Sequence, residues 1–234
     1  LNVWAPSADA PPRPVLFFVH GGGNILGSGN QSLGPGQNLY DGLSLARDED
    51  VVVVTVNYRL GPLGFFAHPA LDAESEHGVS GNYALLDLIL ALEWVKRNIS
   101  AVGGDPSRVL LFGESAGALN TCMLLASPLE RWLRALAVES DALNVWDLPY
   151  GPAIDGFVIP DAPLEIIRRG EQAPVPLVIG TNAHETELFL PPVVFTCLDY
   201  AAWVRGAFSP HAERLLELYP CLDYLLARHA MVDL

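Results

Sequence analysis

Five short apolar runs, rich in β-branched and aromatic residues and without polar alternation, punctuate this chain. They are VLFFVH (15–20), VVVVTVNY (51–58), RVLLF (108–112), LRALAVES (133–140) and PLVIG (176–180). A strand apolar on both faces must be buried on both, which is the condition of a parallel sheet covered by helices. Helix-length segments fall between them. NYALLDLILALEWVKRNI (82–99) is apolar nearly all round and is expected to be well buried. Ser80 and Asn82 offer it N-caps, and Lys96 and Arg97 sit favourably in its last turn. AGALNTCMLLA (116–126), PLEIIRRG (163–170) and HAERLLELY (211–219) are further helix candidates. Strands alternating with helices predict an α/β fold, a mostly parallel central sheet with helices on both faces. Half of the 234 residues are hydrophobic, enough for one sizeable core, so 1–234 reads as a single domain.

The formal net charge of −14 argues against a nucleic-acid partner, whose phosphates demand a basic face. No apolar run reaches the length of a membrane span. Cys122, Cys197 and Cys221 are odd in number and lack CxxC spacing, which predicts neither a zinc site nor a disulfide framework. Cys122, in an apolar helical stretch, is expected to be a buried small residue. The sequence opens at Leu1 with no leader to read, so cytoplasmic and secreted locations both stay open, as does the oligomeric state.

The chemistry is concentrated where the third strand meets a helix, in SRVLLFGESAGALN (107–120). A serine between two glycines on a sharp strand-to-helix turn exposes its hydroxyl beyond the carboxyl edge of the sheet, where open α/β sheets gather reactive groups. A chance Gly-x-Ser-x-Gly in a glycine-rich chain is the competing reading. The strand before Ser115 and the helix after it decide for a nucleophile. Such a serine needs donors for a developing oxyanion. VHGGGN (19–24) follows the first strand and offers the backbone N–H groups of Gly22 and Gly23, with a third from Ala116. Each donor of this kind stabilises a transition state by ~3 kcal/mol. A phosphate-binding loop does not fit, since no Gly-Lys-Ser/Thr follows and no Gly-x-Gly-x-x-Gly opens a helix here. The acid that orients a base is expected at Glu185, just past the fifth strand in IGTNAHETELF (179–189). His184 beside it could begin a zinc motif, but Leu188 stands where the second histidine belongs, so no metal is expected.

LNVWAP (1–6), FFVHGGG (17–23), VVTVNYRLGPLGFF (53–66), the block from GNYALLDL to GESAG (81–117) and GTNAHETELF (180–189) together cover most of the chain. On these motifs it resembles the type-B carboxylesterase and cholinesterase family of α/β-hydrolases. Esterases similar to hormone-sensitive lipase share the glycine triplet but not NYRLGPLGFF. The resemblance implies a serine hydrolase that cleaves small-molecule carboxylic esters without a cofactor. It implies Ser115 as nucleophile, Glu185 as triad acid and Gly22, Gly23 and Ala116 as oxyanion hole, with Glu114 and Ser140 close behind the triad, although plain buried hydrogen bonding reads equally well for both. Three departures accompany it: Asn24 follows the glycine triplet in place of an aromatic, residues 139–141 read ESD in place of Gln-Ser-Gly, and family members run to roughly double this length. The triad order Ser, acid, His leaves His211 and His229 as the histidines after Glu185. Neither has the family's surroundings, so the base is expected beyond residue 234, and the segment before GPAIDGF reads as cut short. The alternative reading is a catalytically inactive relative, or a fragment without the triad histidine, that serves in binding.

Overall fold

A computed structural model describes residues 1–6, 11–34, 37–128, 138–141, 150–179 and 196–221. The chain divides into two compact units, Leu1–Gly180 and Thr181–Leu234.

In the first unit the strands are β1 (Asn2–Trp4), β2 (Arg13–Val19), β3 (Ser32–Gly34), β4 (Gln37–Asn38), β5 (Val52–Val56), β6 (Gly104–Glu114), β7 (Val138–Asp141) and β8 (Leu177–Ile179). Six of them form a sheet in the order β1-β5-β2-β6-β7-β8, and β3 with β4 makes a separate pair. Among the described residues only β1 runs antiparallel in the large sheet, against β5. The apolar runs are therefore strands of a mostly parallel sheet, as expected. The helices are α1 (Leu43–Asp48), α2 (Gly61–Phe65), α3 (Pro69–Glu74), α4 (Tyr83–Asn98), α5 (Ala116–Ala126) and α6 (Pro163–Arg168), with one 3-10 turn at Ile99–Val102.

The core shows why the pattern works. Val15, Phe17 and Val19 of β2 and Val52 and Val54 of β5 are fully buried, and they meet Leu85, Leu88, Leu92 and Val95 of α4. That helical spacing of three, four and three residues is one face of a helix. The opposite face differs from expectation: Leu90 is 63 % exposed and Trp94 39 %, so α4 buries one side only. Its N-terminus also differs. Asn82 occupies the cap position without capping. Its amide instead donates to the Ala153 carbonyl at 2.7 Å and to the Asp155 carboxylate at 2.9 Å. Ser80 Oγ bonds the Asp72 carboxylate and accepts the His68 N–H at 3.1 Å. Tertiary partners have taken both side chains from the helix amides.

The second unit contains α7 (Cys197–Ala207) and α8 (Ala212–Leu218). Thr196 starts α7 with a capping box, accepting from Asp199 N–H at 3.2 Å while Asp199 takes the Thr196 N–H at 2.9 Å. Tyr200, Val204 and Ala212 form a small core between the two helices. Cys197 and Cys221 are joined by a disulfide, which corrects the expectation drawn from cysteine spacing. The pairing spans 24 residues and is set by the helix hairpin, which brings the two Cα atoms to 5.5 Å, rather than by any local motif. Cys122 is half-buried in α5, less enclosed than expected.

Candidate active site

Two parallel neighbours build the site. β2 and β6 pair in register with Val19 opposite Gly113, so the segments leaving the two strands emerge side by side at one edge of the sheet. After β6 comes Ser115; after β2 comes His20 and the glycine triplet.

Ser115 is the residue between β6 and α5, half-buried, with φ 53° and ψ −122°. A non-glycine residue with positive φ is strained by about 1–3 kcal/mol and persists only where its surroundings enforce it. Here the flanking glycines enforce it. A Cβ on Gly117 would fall on the Val19 carbonyl oxygen and 2.5 Å from that of His20. One on Gly113 would sit 2.5 Å from the Gly117 carbonyl carbon. Only glycine lets the start of α5 press this closely on β6 and on the end of β2, and the press is what turns the chain so sharply at Ser115.

The glycine triplet arrives beside it. A Cβ on Gly21 would overlap the Glu114 carboxylate and lie 3.0 Å from Ser115 Cβ, which puts Gly21 directly against the serine. Gly22, Gly23 and Asn24 then take successive positive φ values of 99°, 64° and 60°. The turn closes as the N–H groups of Ile25 and Leu26 both donate to the Gly22 carbonyl at 3.1 Å. Ala116, the first residue of α5, carries one of the helix-start N–H groups that have no partner within the helix. Ser115, Ala116 and the glycine triplet therefore meet at one sheet edge.

A polar layer underlies the turn. His20 is 1 % exposed, stacks on Tyr58 with ring centroids 4.6 Å apart, and donates through Nδ1 to the Gly21 carbonyl at 2.8 Å. The Nδ1 proton leaves Nε2 as the unprotonated nitrogen, buried and without a hydrogen-bond partner among the described residues. Burial holds the His20 pKa below its ordinary value, against the opposing pull of the Gly21 bond. Tyr58 Oη donates to the His20 carbonyl at 2.7 Å, and burial pushes its pKa up. Tyr40 is pushed up as well, first by burial and then by the nearby charge of Glu114.

Of the other expected residues, Ser140 lies on β7 in register with Gly113 and with Ile179 of β8. Glu185, His184 and His229 lie outside the described residues. His211 is exposed at the start of α8. The sequence pattern points to Gly22 and Gly23; Gly21 is not legible in it, because its contact with Ser115 depends on the β2–β6 register. Nor is the buried Asn24–Asn120 pair, in which Asn120 Nδ2 donates to Asn24 Oδ1 at 2.8 Å. An asparagine directly after the triplet was the one available signal.

Residues 1–148, more than half the chain, match the model of the carboxylesterase family. The chain belongs to that family. Among curated carboxylesterase-family relatives, it is 37% identical to the fumonisin B1 esterase of Sphingopyxis macrogoltabida, over 94% of this chain and 48% of that protein. It is 32% identical to the para-nitrobenzyl esterase of Bacillus subtilis (strain 168), over 100% of this chain and 57% of that one. With cholinesterase 1 of Branchiostoma lanceolatum the identity is 48%, over 85% of this chain and 48% of the relative. A solved PNB esterase structure superposes with a TM-score of 0.76 at 31% identity, over 99% of this chain and 59% of that chain. The fold is that of the α/β-hydrolases. The chain spans about half the length of these curated relatives.

Proposed function

We propose that this protein hydrolyses small-molecule carboxylic esters through an acyl-enzyme on Ser115. The observation that carries the reading is the strained backbone of Ser115 at φ 53°, held between β6 and α5 with Gly21 against it. Strained residues of this kind cluster at active sites, and a serine on such a strand-to-helix turn has its hydroxyl exposed for attack. In the proposed mechanism Ser115 Oγ attacks the ester carbonyl and loses its proton to a histidine base. The carbonyl oxygen becomes an oxyanion, held by the N–H groups of Gly22, Gly23 and Ala116. Collapse expels the alcohol, which takes the proton back from the histidine, and water then releases the acid by the same route. The family resemblance assigns Glu185 to orient that histidine, and the chain order Ser, acid, His puts the base after Glu185, which sets aside His20, His68 and His77. Residues 1–234 are taken together as one incomplete α/β-hydrolase domain. No cofactor enters the scheme.

Hydrolysis of p-nitrophenyl acetate by a protein that holds residues 1–234 together with the triad histidine, and by its Ser115→Ala variant, tests the reading. The expected result is turnover in the unmutated chain and a loss on the order of 10⁶ in kcat on removal of the nucleophile. Equal rates in the two proteins would sink it and leave a binding module as the better description.

A further inference from the structure

Asn24 and Asn120 have no place in the esterase mechanism, yet both are 0 % exposed and both lie within a turn of its principal residues. Asn24 is the first residue past the glycine triplet. Asn120 is one helical turn beyond Ala116 on α5, and therefore on the same helix face. The single bond between them, Asn120 Nδ2 to Asn24 Oδ1 at 2.8 Å, joins positions 96 residues apart. Asn24 also gathers two other segments. Its carbonyl accepts the Gly61 N–H at 2.6 Å, and its Nδ2 donates to the Tyr150 carbonyl at 3.3 Å. Asn120 commits its Nδ2 to Asn24, while its Oδ1 is buried without a hydrogen-bond partner among the described residues.

Two amides in so enclosed a place lose their water, and an apolar pair would fill the same volume without that loss. What an apolar pair lacks is direction. A buried hydrogen bond accepts one geometry and rejects its neighbours. Direction matters here because the segment before Asn24 is soft: Gly22 and Gly23 are both glycines at positive φ, with many backbone states open to them. The N–H groups of that turn and of Ala116 stabilise an oxyanion only if they converge on one point.

We propose that the Asn24–Asn120 hydrogen bond is a clasp that sets the glycine turn against the N-terminus of α5 and so aligns the oxyanion donors. The inference rests on the esterase reading for its purpose, though not for the existence of the clasp. Neither asparagine touches substrate in this scheme; both are positioning residues.

Asn24→Gly removes the amide while tolerating the positive φ, and Asn120→Ala removes the donor. These variants and their double are compared with the unmutated full chain by two measurements. The first is amide hydrogen exchange in the 20–27 segment. The second is phosphonylation of Ser115 by a p-nitrophenyl alkylphosphonate, resolved into its maximal rate and its half-saturating concentration. The clasp predicts at least about tenfold faster exchange in 20–27. It also predicts a maximal rate about 10- to 100-fold lower with little change in half-saturation, since donors out of place are felt in the transition state. The double variant should lose no more than the worse single one. Unchanged exchange, additive losses or a loss confined to half-saturation each overturn the proposal. An unmutated protein that holds its triad histidine and still takes up no phosphonate at Ser115 overturns the esterase reading instead, and exchange alone then decides whether the clasp exists. If one single variant fails to fold, the other carries the same comparison.

Discussion

At the scale of single residues, the candidate site costs stability. Ser115 holds φ 53° because Gly113 and Gly117 leave the chain no other path, and a side chain in that region is strained. Glycine would relax it. Ser115→Gly is expected to raise the stability of the first unit by about 1–3 kcal/mol relative to Ser115→Ala, while both variants lose the proposed nucleophile. Urea unfolding followed by tryptophan fluorescence measures the difference directly. Equal midpoints for Gly and Ala would mean that the backbone at 115 is not under strain. The opposite change belongs to Gly117, where a Cβ would meet two carbonyl oxygens at once, so Gly117→Ala should push α5 away from β2 and disturb the site and its packing together.

At the scale of elements, the features legible in the sequence are local. α5 runs over Ala116–Ala126 and β6 delivers Ser115 to the sheet edge because strand run, glycines and helix succeed one another without a gap. The same holds for α4, whose apolar spacing is legible even though the exposure of Leu90 is not. The features that stayed hidden depend on partners far along the chain: Gly21 against Ser115 through the β2–β6 register, Asn82 turned from its helix toward Ala153 and Asp155, and Asn24 bonded to Asn120. The disulfide belongs to this second class, since only the α7–α8 hairpin brings Cys197 and Cys221 together. That hairpin has a small apolar core of Tyr200, Val204 and Ala212, so the cross-link should matter to it. Closing a loop with a sequence separation of 24 stabilises by roughly 3 kcal/mol through the unfolded chain. Cys221→Ser, or reduction of the native protein, is expected to expose residues 196–221 to proteolysis well before β2, β5, β6 and α4 are cut. Cleavage at equal rates with and without the disulfide would show that the hairpin stands on its packing alone.

At the scale of the whole molecule, the polar layer beneath the glycine turn makes folding stability depend on pH. His20 is neutral in the fold, its Nδ1 proton committed to the Gly21 carbonyl and its ring buried against Tyr58, and its pKa lies below the ordinary 6.5. As pH falls through 6.5 the unfolded chain binds a proton at this residue and the folded chain does not. The unfolded state is then favoured, and stability drops until the lowered folded pKa is reached. Carboxylates act in a different window. Asp105, held down to about 2 first by the Ser107 hydroxyl and then by Arg108, contributes stability that is present above the ordinary 3.8 and is lost only as pH falls toward 2. Between pH 7 and 5 the His20 contribution can therefore be isolated by comparing two proteins. The urea midpoint of the unmutated chain should fall across that range, whereas His20→Asn, whose amide can replace the Nδ1 donor without titrating, should fall less. Parallel curves for the two proteins would mean that the fold accommodates the protonated ring, and that the buried Nε2 finds a partner when it charges.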